Sequence, residues 1–231
     1  MISRVLHPMD GPIPPMDCAQ GALLAVENAR NLLREATLLF ENGLGPRANL
    51  LAMIGAEEVV KATLLVYATV MPSDSERKWR DFWWVVRSHD AKELFNYTLK
   101  FMRRGFPAPA DFFRALEHTG TYLDVRNMST YVDRVSSGWL IPTDLLRPSM
   151  VKNQVQELAR RLEGFDSMKD ANDVIEGAKS VDPSSFQRHS IFTEARGVVR
   201  EFNRKPRRDR QRTLAALTRF LRSFPTNTKP G

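Results

Sequence analysis

Cysteine is nearly absent from this 231-residue chain, in which Cys18 is the only one. A single thiol excludes an intramolecular disulfide and a cysteine-based zinc site, and it suits a reducing compartment. Long hydrophobic runs are absent too, because the longest, residues 59–70, is interrupted by Lys61 and falls short of the ~20 residues that span a bilayer. The proline-rich residues 1–15 hold no signal-peptide core. We therefore expect a cytoplasmic protein with no membrane partner.

Several catalytic signatures are also missing. The chain has no glycine-rich phosphate loop, no metal-ligand cluster and no serine-nucleophile elbow. The common ATPase, zinc-hydrolase and α/β-hydrolase classes therefore have no support, and we expect no cofactor and no bound metal. No stretch alternates with period two for long enough to predict a strand.

Helical periodicity is the main pattern that is present. Apolar residues recur every three or four positions, and glycine or proline stands near the ends of most of these stretches. Together they predict helices over 17–42, 46–70, 88–104, 109–118, 148–162, 171–178, 192–202 and 213–224. The second helix is apolar on most faces, so we place it at the bundle centre. The predicted fold is an all-α helical bundle with additional C-terminal helices.

Charge divides the chain into two parts. Residues 1–164 hold 20 Lys and Arg against 19 Asp and Glu, whereas residues 165–231 hold 14 against 8. We therefore predict a nearly neutral bundle over 1–164, with an irregular arm at 1–16, and a basic helical extension over 165–231. The extension allows contact with nucleic acid but does not establish it.

Glu57, Glu58 and Lys61 lie inside the apolar second helix. Charged groups are costly to bury unless they are paired or used in chemistry. Lys61 follows the two acids by three and four residues, so pairing within the helix is available. Two interpretations stay open, namely a pair on a partly solvated face and a functional site.

His89 and Lys92 share one face of a helix that we predict to start at Ser88. A helix N-terminus favours a bound phosphate, and the alternative is a capping turn with an exposed histidine. The tryptophan-rich residues 79–84 come just before this helix. We predict that they pack on the bundle rather than stack on bases.

Two further segments carry candidate residues. Arg126 precedes Asn127 and Tyr131, and this spacing by itself indicates almost nothing about function; one interpretation is a buried Arg126–Tyr131 pair that fixes a loop to the bundle. Residues 196–222 hold ten Lys and Arg against two acids. They are either solvated helix faces or RNA contacts. The candidate RNA-binding residues are Lys92, Arg204, Lys205, Arg207 and Arg208.

Taken in order, these segments resemble the AbiV family. The matching stretches are Asn28-Ala29 through residues 41–43, then residues 48–52, Glu57-Glu58 with Lys61, Ser88-His89 with Lys92, Arg126 with residues 131–133, and a tryptophan–proline element at 139–142. The resemblance covers about residues 20–162. Residues 165–231 have no counterpart in it.

AbiV proteins belong to the HEPN superfamily, so the resemblance implies a helical bundle that forms a homodimer. Many HEPN proteins are metal-independent ribonucleases with an arginine, a polar neighbour and a histidine a few residues further on. Arg126 and Asn127 match the first part, and Tyr131 occupies the histidine position. The resemblance thus implies a catalytic role for these three residues, and the departure at Tyr131 bears directly on catalysis.

Metal-free RNA cleavage needs a base, an acid and a cation. Arg126 can supply the cation, and a tyrosine, with a reference pKa of ~10, can donate a proton. His89 can supply the base if the bundle brings it near Arg126. Under that hypothesis, Glu58 and Lys61 complete the candidate catalytic residues.

Two functions compete, and a third is more remote. The first is a phage-defence effector that cleaves host or phage RNA and arrests growth or translation. The second is a non-catalytic interaction protein that binds RNA, a phage-encoded activator or target protein, or the translation machinery. The third is a nucleotide-binding or toxin-regulating HEPN module. Tyr131 favours the second function, whereas a convergence of Glu58, Lys61, His89 and Arg126 favours the first.

Overall fold

The computed structural model describes residues 11–71, 75–102, 129–130, 133–135, 138–179, 191–204 and 210–222. The helices are α1 (Pro15–Glu41), α2 (Gly45–Ala68), α3 (Glu76–Arg87), α4 (His89–Met102), α5 (Pro142–Leu145), α6 (Pro148–Leu162), α7 (Ala171–Lys179), α8 (Ile191–Phe202) and α9 (Arg210–Arg222), with a 3₁₀ turn at Glu163–Phe165. Among these residues, none of the helices is long and apolar enough to cross a membrane. The all-α fold class is confirmed.

One small sheet accompanies the helices. The strands β1 (Asp133–Val135) and β2 (Gly138–Leu140) form an antiparallel hairpin in which Arg134 lies opposite Trp139. The expectation of no strand was wrong for these six residues. Each strand has only three residues, which is too short for a period-two pattern to stand out from the sequence.

The helices α1 and α2 form an antiparallel pair whose contact faces are rich in alanine. Small side chains let the two backbones approach closely, and the buried members are Ala19, Ala22, Ala25, Ala29, Ala36, Ala48, Ala52 and Ala56. The predicted break at Gly43 is confirmed: this residue has a φ of +75°, which glycine adopts without strain after a helix end. Pro46 follows in the first turn of α2.

The helix α2 occupies the centre of the bundle, as its apolar sequence predicts. It contacts α1, α4, α6 and α7, and more than half of its residues are buried. Helices α2 and α6 pack tightly at Gly55, because a Cβ atom there would lie 2.6 Å from Cδ2 of Leu158 on α6.

Burial also affects Cys18 at the start of α1, where it raises the pKa of the thiol from 9.0 to about 12.

The helix α3 was missed by sequence reasoning, which placed the third helix at Ser88. Ser75 caps its start by accepting a hydrogen bond from the backbone N–H of Lys78 at 3.4 Å. Trp79 is fully buried and packs edge-on against Phe82, and the Trp83 indole donates a hydrogen bond to the carbonyl of Gly11 at 2.8 Å. These two tryptophans pack on the bundle, as predicted.

The helices that follow residue 164 pack onto the bundle. The helix α7 contacts α1 and α2, and α8 contacts α3, α4 and α9. Phe192 on α8 inserts between Phe82 and Phe95, with ring centroids 5.2 and 6.0 Å away. The domain boundary at residue 164 stays a prediction, but the buried face of α8 belongs to the same hydrophobic core as α1–α4.

Candidate active site

A buried carboxylate on α2 is the centre of the candidate site. Glu57 is only 5% exposed and lies on the same face of α2 as Met53 and Val60. An ionised group in such surroundings needs a charge partner or hydrogen bonds. The first turn of α4 supplies the ammonium of Lys92 and the imidazole of His89.

The geometry of this cluster is compact. Oε2 of Glu57 lies 2.6 Å from Nδ1 of His89 and 3.0 Å from Nζ of Lys92. Lys92 is buried, whereas the side chain of His89 is about half exposed. We call Glu57, His89 and Lys92 the α2–α4 cluster.

The start of α4 positions both partners of Glu57. Ser88 ends α3 and caps α4, because its Oγ accepts a hydrogen bond from the backbone N–H of Ala91 at 3.2 Å. His89 and Lys92 are then the first and fourth residues of the helix, so both point to one side. The capping role that the sequence predicted for Ser88 is confirmed.

The contact with Glu57 orients the imidazole. An ionised carboxylate can only accept a hydrogen bond, so this contact favours the tautomer of His89 that carries its proton on Nδ1. In the neutral ring, Nε2 is then the nitrogen with a free lone pair. A carboxylate that fixes the tautomer in this way is the arrangement that enzymes use for a histidine base.

Glu58 and Lys61 lie outside this cluster. They form an ion pair with each other, with 2.5 Å between Nζ and Oε1, on a partly exposed side of α2. The structure therefore brings His89 and Lys92 to Glu57 rather than to Glu58. The sequence did hold a signal for this difference, because Glu57 continues the four-residue spacing of the buried Asn49 and Met53.

A second polar contact connects α2 to the segment that carries Arg126. Nδ2 of Asn49 donates to Oγ of Ser129 at 3.3 Å, and both residues are buried. Asn49 and Glu57 are eight residues apart on one helix face, or ~12 Å along the axis. Ser129 thus lies against α2 about two helical turns from Glu57.

Other predicted site residues have different surroundings or lie outside the described residues. Lys92, a candidate RNA contact, is buried against Glu57. Arg204 pairs with Glu201 at 3.1 Å and stays about half exposed. Arg126, Asn127, Tyr131, Lys205, Arg207 and Arg208 lie outside the described residues, as does the predicted helix 109–118. Within the described ranges, there is no group of three or more His, Cys, Asp or Glu that could hold a metal.

The fold and the polar cluster define a helical-bundle protein with a carboxylate–histidine pair at its centre. The family model of AbiV, a family of the HEPN type, matches residues 17–163. The chain therefore belongs to the AbiV family, and the resemblance inferred from the sequence is confirmed. No curated protein and no solved structure gives a significant match. The matched region contains the whole α2–α4 cluster and ends before α7 and α8.

Proposed function

We propose that this chain is an abortive-infection effector that acts on RNA as a metal-independent endoribonuclease. Membership of the AbiV family supports a HEPN-type role in abortive infection. The observation that carries the catalytic part is the contact between Glu57 and His89. In this contact a half-exposed imidazole lies against a buried carboxylate of α2, and the Asn49–Ser129 contact on the same helix supports the proposal that the segment of Arg126 takes part.

The proposed reaction is an internal transesterification. Nε2 of His89 removes the proton from a ribose 2′-hydroxyl, and the 2′-oxygen forms a bond to the adjacent phosphorus. The bond from phosphorus to the 5′-oxygen breaks, and Tyr131 donates a proton to that leaving oxygen. Arg126 and its neighbour Asn127 stabilise the charge on the phosphorane. The products are a 2′,3′-cyclic phosphate and a 5′-hydroxyl.

One observation favours a second candidate, a non-catalytic binding protein. The carboxylate of Glu57 already contacts the ammonium of the buried Lys92, which is also the arrangement of a structural ion pair that connects α4 to α2. Under this alternative the bundle binds RNA, a phage protein or the translation machinery. Tyr131 in the histidine position of the HEPN motif supports this alternative as well.

The deciding experiment is cleavage of total cellular RNA in EDTA, followed by analysis of the new ends. We expect wild type to produce 2′,3′-cyclic phosphates, and His89→Ala and Arg126→Ala to abolish them. Glu57→Gln should reduce the rate at least tenfold, because the imidazole loses its orienting charge. Glu58→Gln is the matched control and should cleave like wild type.

The contrary result is equally clear. Intact RNA with folded wild-type protein that still arrests growth in cells would contradict the ribonuclease and favour the binding protein. Loss of cleavage in EDTA alone, with recovery on adding Mg²⁺, would contradict the metal-independent mechanism.

Homodimerisation in the cytoplasm is part of the proposed function, because the HEPN resemblance implies a dimer. Light scattering on the purified chain should give a mass near twice the 26.4 kDa of one copy. A mass of one copy at all concentrations would remove the dimer from the proposed function.

A further inference from the structure

A cavity between α3 and α8 is surrounded by positive charge. Its volume is about 410 Å³, and it is lined by Arg80, Trp84, Arg87, Ser88 and Arg196. Three of these five described residues are arginines, and the other two are an aromatic and a neutral polar residue. It lies beside the α2–α4 cluster along the chain, because Ser88 directly precedes His89, but it shares no residue with that cluster.

The periodicity of α3 explains the first wall of the cavity. Arg80, Trp84 and Arg87 follow one another at spacings of four and three residues, which places them on one helix face. The opposite face of α3 holds Phe82 and Val86 in the core. Helix α3 therefore contributes a basic stripe that ends at Ser88.

Arg196 on α8 forms the second wall of the cavity, and a buried carboxylate on α3 contacts it. Asp81 is 4% exposed, and its Oδ1 accepts a hydrogen bond from the Arg196 guanidinium at 2.8 Å. Its Oδ2 accepts a hydrogen bond from the hydroxyl of Thr193. The Arg196 guanidinium also lies over the Trp84 ring, 5.5 Å from its centroid. These contacts hold Arg196 at the cavity with little freedom to move.

The composition of the described lining favours an anion. Arg80, Arg87 and Arg196 bring three guanidinium groups to it, and Asp81 pairs with the last of them. Arg87 is held near the cavity by its position over the Trp83 ring, 5.5 Å from the centroid. The N-terminus of α4 begins immediately after Ser88 and adds the positive end of a helix dipole.

We propose that this cavity binds a phosphate group of a nucleotide or of an RNA strand. Guanidinium groups form paired hydrogen bonds with phosphate oxygens, which a lysine cluster does not reproduce. The volume of the cavity lies within the ~300–1,000 Å³ typical of ligand pockets. It is larger than a phosphate group alone requires. The cavity therefore has room for an organic group beside the phosphate.

This phosphate site is distinct from the proposed ribonuclease site, because its residues come from two parts of the chain. Arg80, Trp84, Arg87 and Ser88 lie within the region that matches the AbiV family, whereas Arg196 lies outside residues 17–163. The phosphate site is thus completed by the C-terminal extension. Its ligand can bind whether or not His89 performs chemistry.

The test is titration calorimetry on the full chain with three probes. They are adenosine 5′-monophosphate, adenosine, and a 2′-O-methyl RNA hexamer, which lacks the hydroxyl needed for cleavage. We expect at least one phosphate-bearing probe to bind and adenosine not to bind. Arg80→Ala and Arg87→Ala should each weaken binding about tenfold, because each removes a charge-assisted hydrogen bond.

Arg77→Ala is the matched control, since Arg77 is an exposed arginine on the same helix that does not line the cavity. Arg196→Ala is avoided, because it would leave the buried Asp81 unpaired. Binding of the nucleotide assigns the site to a free nucleotide or a terminal phosphate, and binding of the hexamer alone assigns it to an RNA strand. Equal binding of adenosine, no binding of any probe, or wild-type affinity in both variants would overturn the proposal. None of these results depends on RNA cleavage.

Discussion

Nδ1 of His89 lies 2.6 Å from Oε2 of Glu57, and the contact joins the first turn of α4 to the middle of α2. The same oxygen lies 3.0 Å from Nζ of the buried Lys92. One carboxylate therefore serves two purposes: it compensates a buried ammonium, and it orients an imidazole that reaches solvent. We therefore expect stability to depend on the contact with Lys92, and the proposed chemistry on the contact with His89.

Replacing Glu57 should destabilise the protein strongly. Glu57→Ala leaves the ammonium of Lys92 buried without its carboxylate, and we predict a loss of about 3–5 kcal/mol in the free energy of unfolding. Urea denaturation followed by circular dichroism measures this change. Glu58→Ala breaks only the partly exposed pair with Lys61 and should cost no more than about 1 kcal/mol. Equal losses in the two variants would contradict a special role for Glu57.

The double variant Glu57→Ala with Lys92→Met separates the cost of the unpaired charge from the cost of lost packing. It removes both charges and keeps an unbranched side chain at position 92, so it should be more stable than Glu57→Ala alone. If the double variant is instead the less stable of the two, the buried charge of Lys92 is not the source of the loss.

The contact between Asp81 and Arg196 should couple α3 to α8. Each single alanine variant leaves a partner without its charge, and we predict a coupling energy of about 1–3 kcal/mol in a double-mutant cycle. Denaturant unfolding of the four proteins gives this energy. Arg200→Ala, an exposed change one turn further along α8, supplies the control cycle with Asp81 and should show no coupling. A value near zero for the Asp81–Arg196 pair would mean that the aromatic contacts of Phe192 hold α8 without this ion pair.

The sequence predicted the helical bundle well because periodicity and stop signals agree in most places. Gly43, Pro46 and Pro148 each lie at a predicted helix boundary, and α2 is apolar enough to require a central position. The helix α3 was missed because its buried face combines two aromatic residues and two valines with the acidic Asp81. Aromatic and β-branched residues also favour strands, so this run does not by itself predict a helix. Its cap at Ser75 also depends on a single hydrogen bond.

The candidate site was only partly predictable. Adjacent glutamates at 57 and 58 look alike in sequence, and only the packing of α4 on α2 decides which one meets His89. The contact of Asn49 with Ser129 spans 80 positions in the chain, and no local pattern encodes it. Arg196 was not predictable either. In the sequence it is one of ten basic residues, and only its contact with the buried Asp81 distinguishes it from the others.

The close approach at Gly55 should make that position intolerant of alanine. An added Cβ would lie 2.6 Å from Cδ2 of Leu158, and Leu158 is fully buried with little room to turn. We predict a net loss of about 1–3 kcal/mol for Gly55→Ala, despite the better helix propensity of alanine. Gly197→Ala on α8 meets no atom within 4 Å and should gain about 0.5–1 kcal/mol. Thermal or urea unfolding checks both values, and a stabilised Gly55→Ala protein would contradict the packing of α6 on α2.

The thiol of Cys18 should report the opening of α1. Burial, and to a lesser extent the charge of Asp17, raise the pKa of this thiol from 9.0 to about 12, so its thiolate fraction at pH 8 falls on the order of a thousandfold. A disulfide reagent should therefore label the native chain at least that much more slowly than the urea-unfolded chain, and Cys18→Ser should show no labelling. The raised pKa means that the folded state favours the neutral thiol. Its contribution to stability is complete below pH 9 and is lost as the pH rises towards 12. Equal labelling rates with and without urea would show that Cys18 is accessible in the folded protein and that the start of α1 is not packed on the core.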